Sequence, residues 1–217
     1  MSIFRLVLGP AIITLAVTLL RLVGELNGWS RTFFNPDAGG GFAVVGIAWL
    51  VPIFGIYFAL KLHSSGSLRG GWRALGFAAL AIAVFFVLTF GLISLLGLDP
   101  NQPTLAVLGV NAVASLVSLA VAFFGVPTLA KALTTYGLLA RIPVVLVMLA
   151  AILGNWGTHY DVVPPGVPEM SPLTKWFLIG VVPQLTFWMA FTVVLGAFFG
   201  GIALAHVERR RAALRPA

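Results

Sequence analysis

The chain has 217 residues, of which 60% are hydrophobic and only 9% are charged, and its formal net charge is +7. A soluble domain carries roughly 25% charged residues, so this composition excludes a water-soluble globular protein and is typical of a chain folded in a membrane. The sequence contains no cysteine, which excludes disulfides, thiolate metal sites and cysteine nucleophiles.

Long apolar runs follow one another along the chain, and several exceed the ~18 residues that indicate a membrane-spanning helix. The first run follows Arg5 and continues through Leu20 without a small-residue cleavage site, so we interpret it as a retained helix and not as a signal peptide. We predict an all-α fold with a single transmembrane domain over residues 1–217. Its six helices are expected at about 3–26, 42–62, 72–96, 104–125, 138–156 and 173–206.

Prolines and polar residues mark the segments between and within these helices. Residues 127–141 are expected to form an interfacial turn of helix before the fifth span. Pro52 and Pro183 lie about ten residues from the same end of helices two and six, which predicts kinks at a similar depth. The sixth run exceeds what a ~30 Å hydrocarbon core needs, so its last turns are expected to project into water.

Basic residues concentrate on one side of the predicted bundle. With six crossings, the other side receives only Arg21, Arg31 and Lys175 together with five acids. The positive-inside rule therefore places both termini in the cytoplasm of a cell membrane, which we expect to be a prokaryotic cytoplasmic membrane. Basic residues at helix ends favour contact with membrane lipids over nucleic-acid binding. The ten basic residues of the first side are Arg5, Lys61, Arg69, Arg73, Lys131, Arg141, Arg209, Arg210, Arg211 and Arg215, against the single acid Glu208.

The densest group of polar side chains lies where the fifth apolar run ends, in the segment 154–161. Arg21 and Glu25 are four residues apart and share one face at the same end of helix one. These side chains are expected to converge on a pocket open to the outer surface, with Arg21 as a donor for an anionic or lipid headgroup. The alternative is a set of interfacial anchors and loop salt bridges. The predicted ligand-binding residues are Arg21, Glu25, Asn155, His159, Tyr160 and Asp161.

The same segment also permits a catalytic hypothesis, in which Asp161 orients His159 as a general base acting on a lipid headgroup. The only nearby nucleophiles are Thr158, Tyr160 and water, so we assign no catalytic residue and expect a non-catalytic protein. One histidine with scattered acids lacks metal-ligand spacing, and His63 with His206 is an ordinary solvated pair. No metal and no cofactor are predicted.

Polar residues within the spans are few. Asn111, Ser115 and Ser118 follow helical spacing and form one stripe on helix four, and Gln184 follows Pro183 on helix six. Asn111 and Gln184 are candidate cavity-lining residues, although such side chains also hydrogen-bond neighbouring helices. No charged residue is expected deep inside any span, which disfavours a proton relay or an ion-coupled pump.

Gly196 and Gly200 form a G-x-x-x-G pattern, which allows close helix approach within the bundle or to a partner in a homo-oligomer or larger membrane complex. Our leading hypothesis is a multi-pass membrane protein that binds or transports a lipid or lipophilic small molecule. The alternatives are an accessory subunit of a membrane complex, which needs no site, and a membrane-embedded enzyme that uses His159 and Asp161.

Overall fold

The computed structural model describes residues 2–41, 43–102, 104–165 and 167–214. Within these ranges the protein is all-helical, with 75% of its residues in helices and no strand. The helices are α1 (Ile3–Leu26), α2 (Leu50–Ser64), α3 (Gly71–Leu95), α4 (Leu105–Gly125), α5 (Pro127–Gly154) and the interrupted α6 (Pro172–Ala213).

Five of these helices are long and apolar enough to cross a membrane, and α2 is a shorter apolar helix of 15 residues. The outward faces carry large apolar side chains, among them Val87, Leu95 and Phe124, which are 70%, 80% and 76% exposed. A surface of this kind is stable against lipid and not against water. The chain is therefore a helical membrane bundle.

The second part of α6, Phe187–Ala213, lies at the centre of the bundle and contacts α2, α3, α4 and α5. Glycines bring α2 and α6 together: a Cβ atom added to Gly55 would lie 2.3 Å from the carbonyl oxygen of Gly196. A Cβ atom on Gly200 would lie 2.7 Å from the carbonyl oxygen of Gly55. Gly196 and Gly200 therefore bring α6 close to α2 within the bundle. Assembly with other chains stays a prediction.

Helix α2 begins at Leu50 and not near residue 42, which lies outside the described residues. Residues 43–49 are apolar but not helical. Pro52 consequently occupies the first turn of α2, where its missing N–H has no helical partner to lose. Pro52 therefore helps to begin this helix and does not kink its middle, contrary to the sequence-based expectation.

Helix α5 is one continuous helix of 28 residues, which begins at Pro127 instead of near residue 138. Proline is favoured at the first helical position because its φ angle is already helical and it needs no hydrogen-bond partner there. The expected interfacial turn over residues 127–141 is therefore the first half of α5. This correction moves Arg141 from a helix end into a helix interior.

Helix α6 extends beyond the expected 173–206 at both ends and is irregular in its first part, residues 172–185. Trp176–Val181 is a π-helical stretch, and Thr186 departs from helical geometry with φ −112° and ψ −79°. Pro183 lies between the two irregularities and lacks the N–H that would continue the ladder. Wide turns of this kind are rare and often lie at functional sites.

The two ends of the bundle differ in character. We call one end the loop face; it carries the C-terminal ends of α1 and α5 and the loops 27–49, 96–104 and 155–171. The opposite end, the basic face, carries Lys61, Arg69 and Arg73 near the end of α6. There the carboxylate of Glu208 accepts hydrogen bonds from the backbone N–H groups of Gly70 and Gly71, both at 2.8 Å. Arg215 lies outside the described residues.

Candidate functional site

A buried charge cluster joins α1 to the 155–171 loop at the loop face. Glu25, whose side chain is fully buried, accepts a hydrogen bond from Nε of Arg21 at 2.8 Å through Oε1. Its Oε2 accepts the backbone N–H of His159 at 2.9 Å. Nδ1 of His159 also lies 2.6 Å from Oε1, in short contact but not aligned as a hydrogen bond. One carboxylate thus holds together two segments far apart in sequence.

Arg21 holds the first loop through a second nitrogen. Its Nη2 atom donates to the carbonyl oxygens of Asn35 at 3.2 Å and Gly40 at 3.0 Å. A Cβ atom on Gly40 would lie 2.4 Å from Nη2, and its φ of +77° also favours glycine. Arg21 therefore has structural contacts through Nε and Nη2, and it also lines the cavity described below. Its role as a headgroup donor stays a prediction.

His159 and Tyr160 are held in a partly dehydrated setting. Burial lowers the pKa of His159, and the adjacent Glu25 carboxylate opposes this only in part. Burial likewise raises the pKa of Tyr160, whose hydroxyl donates to the carbonyl oxygen of Thr18 at 3.2 Å. Both rings are therefore neutral at pH 7, and both line the cavity described below.

Asp161 shapes its own turn and does not contact the His159 ring nitrogens. Its Oδ2 accepts the N–H of Gly157 at 2.9 Å, and its Oδ1 accepts the N–H of Thr158 at 2.8 Å and the Thr158 hydroxyl at 2.7 Å. The carboxylate beside His159 is Glu25 instead. The expected pairing of His159 with an orienting Asp161 is therefore not what the structure shows.

Asn155 ends α5 and lies apart from the other candidate residues. It has a left-handed backbone with φ 47°, a conformation that asparagine tolerates better than most residues. Its side chain is exposed and does not line the cavity. Asn155 therefore terminates a helix and is not brought to the site.

A large cavity of about 1230 Å³ extends from the loop face into the bundle. Its walls come from the first loop and residues 43–49, the start of α4, the middle of α5, the 162–170 loop and the first part of α6. Most of the lining is apolar. Backbone without regular structure is tolerated at membrane depth only when it is buried in protein or lines a water-filled cavity. The non-helical residues 43–49 meet this condition because they form one wall.

Arg141 lies at the buried end of this cavity and is the residue that the sequence-based reasoning missed. It is 3% exposed. Its Nη1 donates to Oε1 of Gln184 at 3.4 Å and its Nη2 to Oγ1 of Thr192 at 3.5 Å, while Nε has no partner. The guanidinium carbon lies 4.9 Å from the ring centroid of Trp188. All these partners are neutral.

The position of Arg141 overturns the expectation that no charge lies deep inside a span. Arg141 is thirteen residues before Gly154 at the end of α5, which is about 20 Å along a helix at ~1.5 Å per residue. Lys131, which is exposed, marks the opposite end. The signal that could have revealed this was Pro127, because a helix that begins there places Arg141 near its middle.

Of the two predicted cavity-lining residues, the structure places only one at the cavity. Gln184 lines the cavity beside Arg141. Asn111 does not line it, and its side chain donates to the carbonyl oxygen of Val107 in its own helix at 2.9 Å. Ser118 on the same stripe donates to the carbonyl oxygen of Ala81 on α3 at 2.8 Å. The α4 stripe therefore serves helix packing.

Among the described residues there is no group of three or more histidine, aspartate or glutamate side chains that could hold a metal ion. His63 lies on the basic face, with Nδ1 3.0 Å from the carbonyl oxygen of Leu68 and Nε2 3.2 Å from Nη1 of Arg211. Both of its ring nitrogens therefore have protein partners.

No protein-family model, no curated protein and no solved structure matches this chain.

Proposed function

We propose that this protein binds or transports a lipid or other lipophilic small molecule through the cavity that opens at the loop face. The observation that supports this most directly is the cavity itself, about 1230 Å³ with mostly apolar walls. Pockets for small molecules usually measure about 300–1,000 Å³ and bury most of the ligand against apolar side chains. A cavity of this size accommodates a long hydrocarbon chain.

The wall chemistry favours an amphiphile over a small polar solute. Val144, Met148 and Phe191 line the cavity, and polar groups make up the smaller part of its walls. Arg21 and His159 lie near the loop face, and Arg141 lies at the buried end. A ligand with one polar end and a long apolar body matches this distribution.

The catalytic alternative receives no support from the contacts of His159. Its Nδ1 lies against Glu25, its ring centroid lies 3.9 Å from that of Tyr160 with the two planes tilted by 44°, and the Tyr160 hydroxyl is bonded to backbone. A general base must lie within hydrogen-bond distance of the nucleophile or water from which it takes a proton. The geometry instead favours a positioning role for His159 at the mouth of the cavity.

The orientation that we propose puts the basic face in the cytoplasm and the loop face outside, in the cell membrane of a prokaryote. Lys61, Arg69 and Arg73 lie at the basic face, together with the arginines at the end of α6. Positively charged connections are retained on the cytoplasmic side during membrane insertion. The cavity then opens to the outer leaflet and the space beyond it.

Native mass spectrometry of the protein, extracted gently from its own membrane, tests the proposal. The wild type should carry a bound lipophile. Val17→Trp fills the cavity from α1, where Val17 is one of the lining residues, and should remove most of that ligand. Val113→Trp is the matched control, because Val113 is 51% exposed on α4 and does not line the cavity. Equal ligand occupancy in Val17→Trp and the wild type would contradict the proposal.

A further inference from the structure

We infer that Arg141 is an oxyanion-binding site, and that the ligand of the cavity is an amphiphile whose carboxylate or phosphate group contacts this guanidinium. The apolar body of the ligand then lies along the cavity toward the loop face. This inference rests on the proposed function, because it names the chemical class of the lipophile that the cavity binds.

The first argument is the charge of Arg141 and its surroundings. A buried cation inside a membrane span is costly unless it is paired, and arginines in this position usually mark a ligand or ion pathway. The contacts to Gln184 and Thr192, at 3.4 and 3.5 Å, lie at the long limit for hydrogen bonds and carry no negative charge. These contacts orient the side chain without neutralising it.

No carboxylate among the described residues is placed to pair with Arg141. The ion pairs in this part of the chain are Arg21 with Glu25 and Arg31 with Asp37, and Glu25 also contacts the neutral ring of His159. Glu208 and Asp161 bond to backbone N–H groups, Asp99 bonds to the 101 backbone, and Glu169 is exposed in a loop. All six acidic residues of the chain are therefore engaged or distant.

The second argument is the geometry of the unused donors. A guanidinium has five N–H donors in a planar fork, which matches a carboxylate or a phosphate with two parallel hydrogen bonds. Arg141 uses two of them, and the buried Nε is without a partner. The Trp188 ring occupies the face of the guanidinium, at 4.9 Å, which leaves its edge for an anion.

The third argument concerns the source of the anion. Val144 and Phe191 line the same end of the cavity as Arg141. A free inorganic anion would have to lose its hydration shell among these apolar groups, which is costly. An oxyanion attached to a hydrocarbon chain offsets this cost because its chain is buried along the cavity. The walls therefore favour an amphiphile over free phosphate.

The test compares ligands of equal chain length and different charge on the purified full-length protein in a neutral maltoside detergent. The probes are palmitate, hexadecyl phosphate, 1-hexadecanol and inorganic phosphate, and the readout is the apparent Kd from native mass spectrometry. Both anionic lipophiles should bind the wild type about tenfold or more tightly than 1-hexadecanol, because charge-assisted hydrogen bonds favour them. Inorganic phosphate should not displace palmitate at the same concentration.

Variants then connect the preference to Arg141. Arg141→Gln should bring the Kd ratio between 1-hexadecanol and palmitate close to one while 1-hexadecanol binding is retained. Arg141→Lys keeps the charge but loses the planar fork, so it should retain only part of the preference. Arg31→Gln is the control, because Arg31 is exposed and pairs with Asp37 away from the cavity, and it should retain all of the preference.

The outcomes separate this inference from the proposed function. Equal binding of palmitate and 1-hexadecanol to the wild type overturns the oxyanion site and leaves a cavity for lipophiles. Binding of neither lipophile overturns both. Displacement of palmitate by equimolar inorganic phosphate would assign the site to free anions and overturn the amphiphile. These comparisons use the wild type, so they remain decisive even if Arg141→Gln fails to fold.

Discussion

Arg21 and Arg141 both lie on the wall of one cavity, but they differ in burial and in the charge of their partners. Arg21 is paired with a buried carboxylate and with two loop carbonyls at the loop face. Arg141 is deeper, more buried and surrounded by neutral groups. The first has an anionic partner and holds two segments of the fold, whereas the second has only neutral partners. The comparison shows why we place the proposed anion contact at Arg141: it is the buried arginine without an anionic partner among the described residues.

Replacing Arg21 should cause the largest loss of stability. Arg21→Met leaves Glu25 buried without its guanidinium, and breaking a buried ion pair in this way costs about 3–5 kcal/mol. Reversible unfolding in mixed micelles would measure the loss. The matched control is Arg31→Met, which breaks an exposed pair and should change stability little. If both variants unfold alike, the Arg21 cluster does not hold the first loop in place.

Replacing Arg141 with methionine should change the stability in the opposite direction and by a smaller amount. Arg141→Met removes an isolated buried cation without leaving an acid unpaired, so we expect the protein to become more stable by about 1 kcal/mol. The same unfolding measurement applies, and bound anionic lipophile should be lost at the same time. A destabilisation as large as that of Arg21→Met would mean that Arg141, too, is held by its protein partners.

The smallest expected effect is a pH dependence of stability that arises from His159 in the loop-face cluster. The pKa of His159 is lowered by burial, so the unfolded chain takes up its proton at a higher pH than the folded protein does. Stability is therefore complete above the ordinary histidine pKa of about 6.5 and is lost as the pH falls below it, by at most about 1.4 kcal/mol per pH unit. His159→Gln should flatten this part of a stability profile. An unchanged profile in His159→Gln would assign the dependence to another group.

The composition alone predicts a membrane protein, and the apolar runs predict the bounds of three helices closely. The observed bounds of α1, α3 and α4 lie within one residue of those expected. The starts of α2 and α5 could not be obtained in this way, because hydropathy does not distinguish an apolar helix from an apolar stretch without helix. Pro52 was expected to kink α2 and residues 127–141 to form a separate turn of helix, whereas Pro52 and Pro127 stand in first turns.

The site was predictable in location and not in pairing. Arg21 and Glu25 could be placed together by their spacing, and the loop face could be chosen by topology. The contact of Glu25 with His159 spans 134 positions, and no local pattern records it. Arg141 looks identical in sequence whether it ends a helix or lies inside one. Its role became visible only when the start of α5 was known. That these residues bind a ligand remains a prediction.

The non-helical wall at residues 43–49 has an electrical consequence. In the orientation that we propose, a cavity that is open to the external solution when no lipophile fills it would carry the external potential inward, so most of a transmembrane voltage would fall between Arg141 and the basic face. A charge that crosses the full voltage changes its energy by about 2.3 kcal/mol per 100 mV. An anion that enters from the loop face stops before most of that drop. Its occupancy at Arg141 should therefore depend only weakly on membrane voltage, whereas its release at the basic face would depend on it strongly.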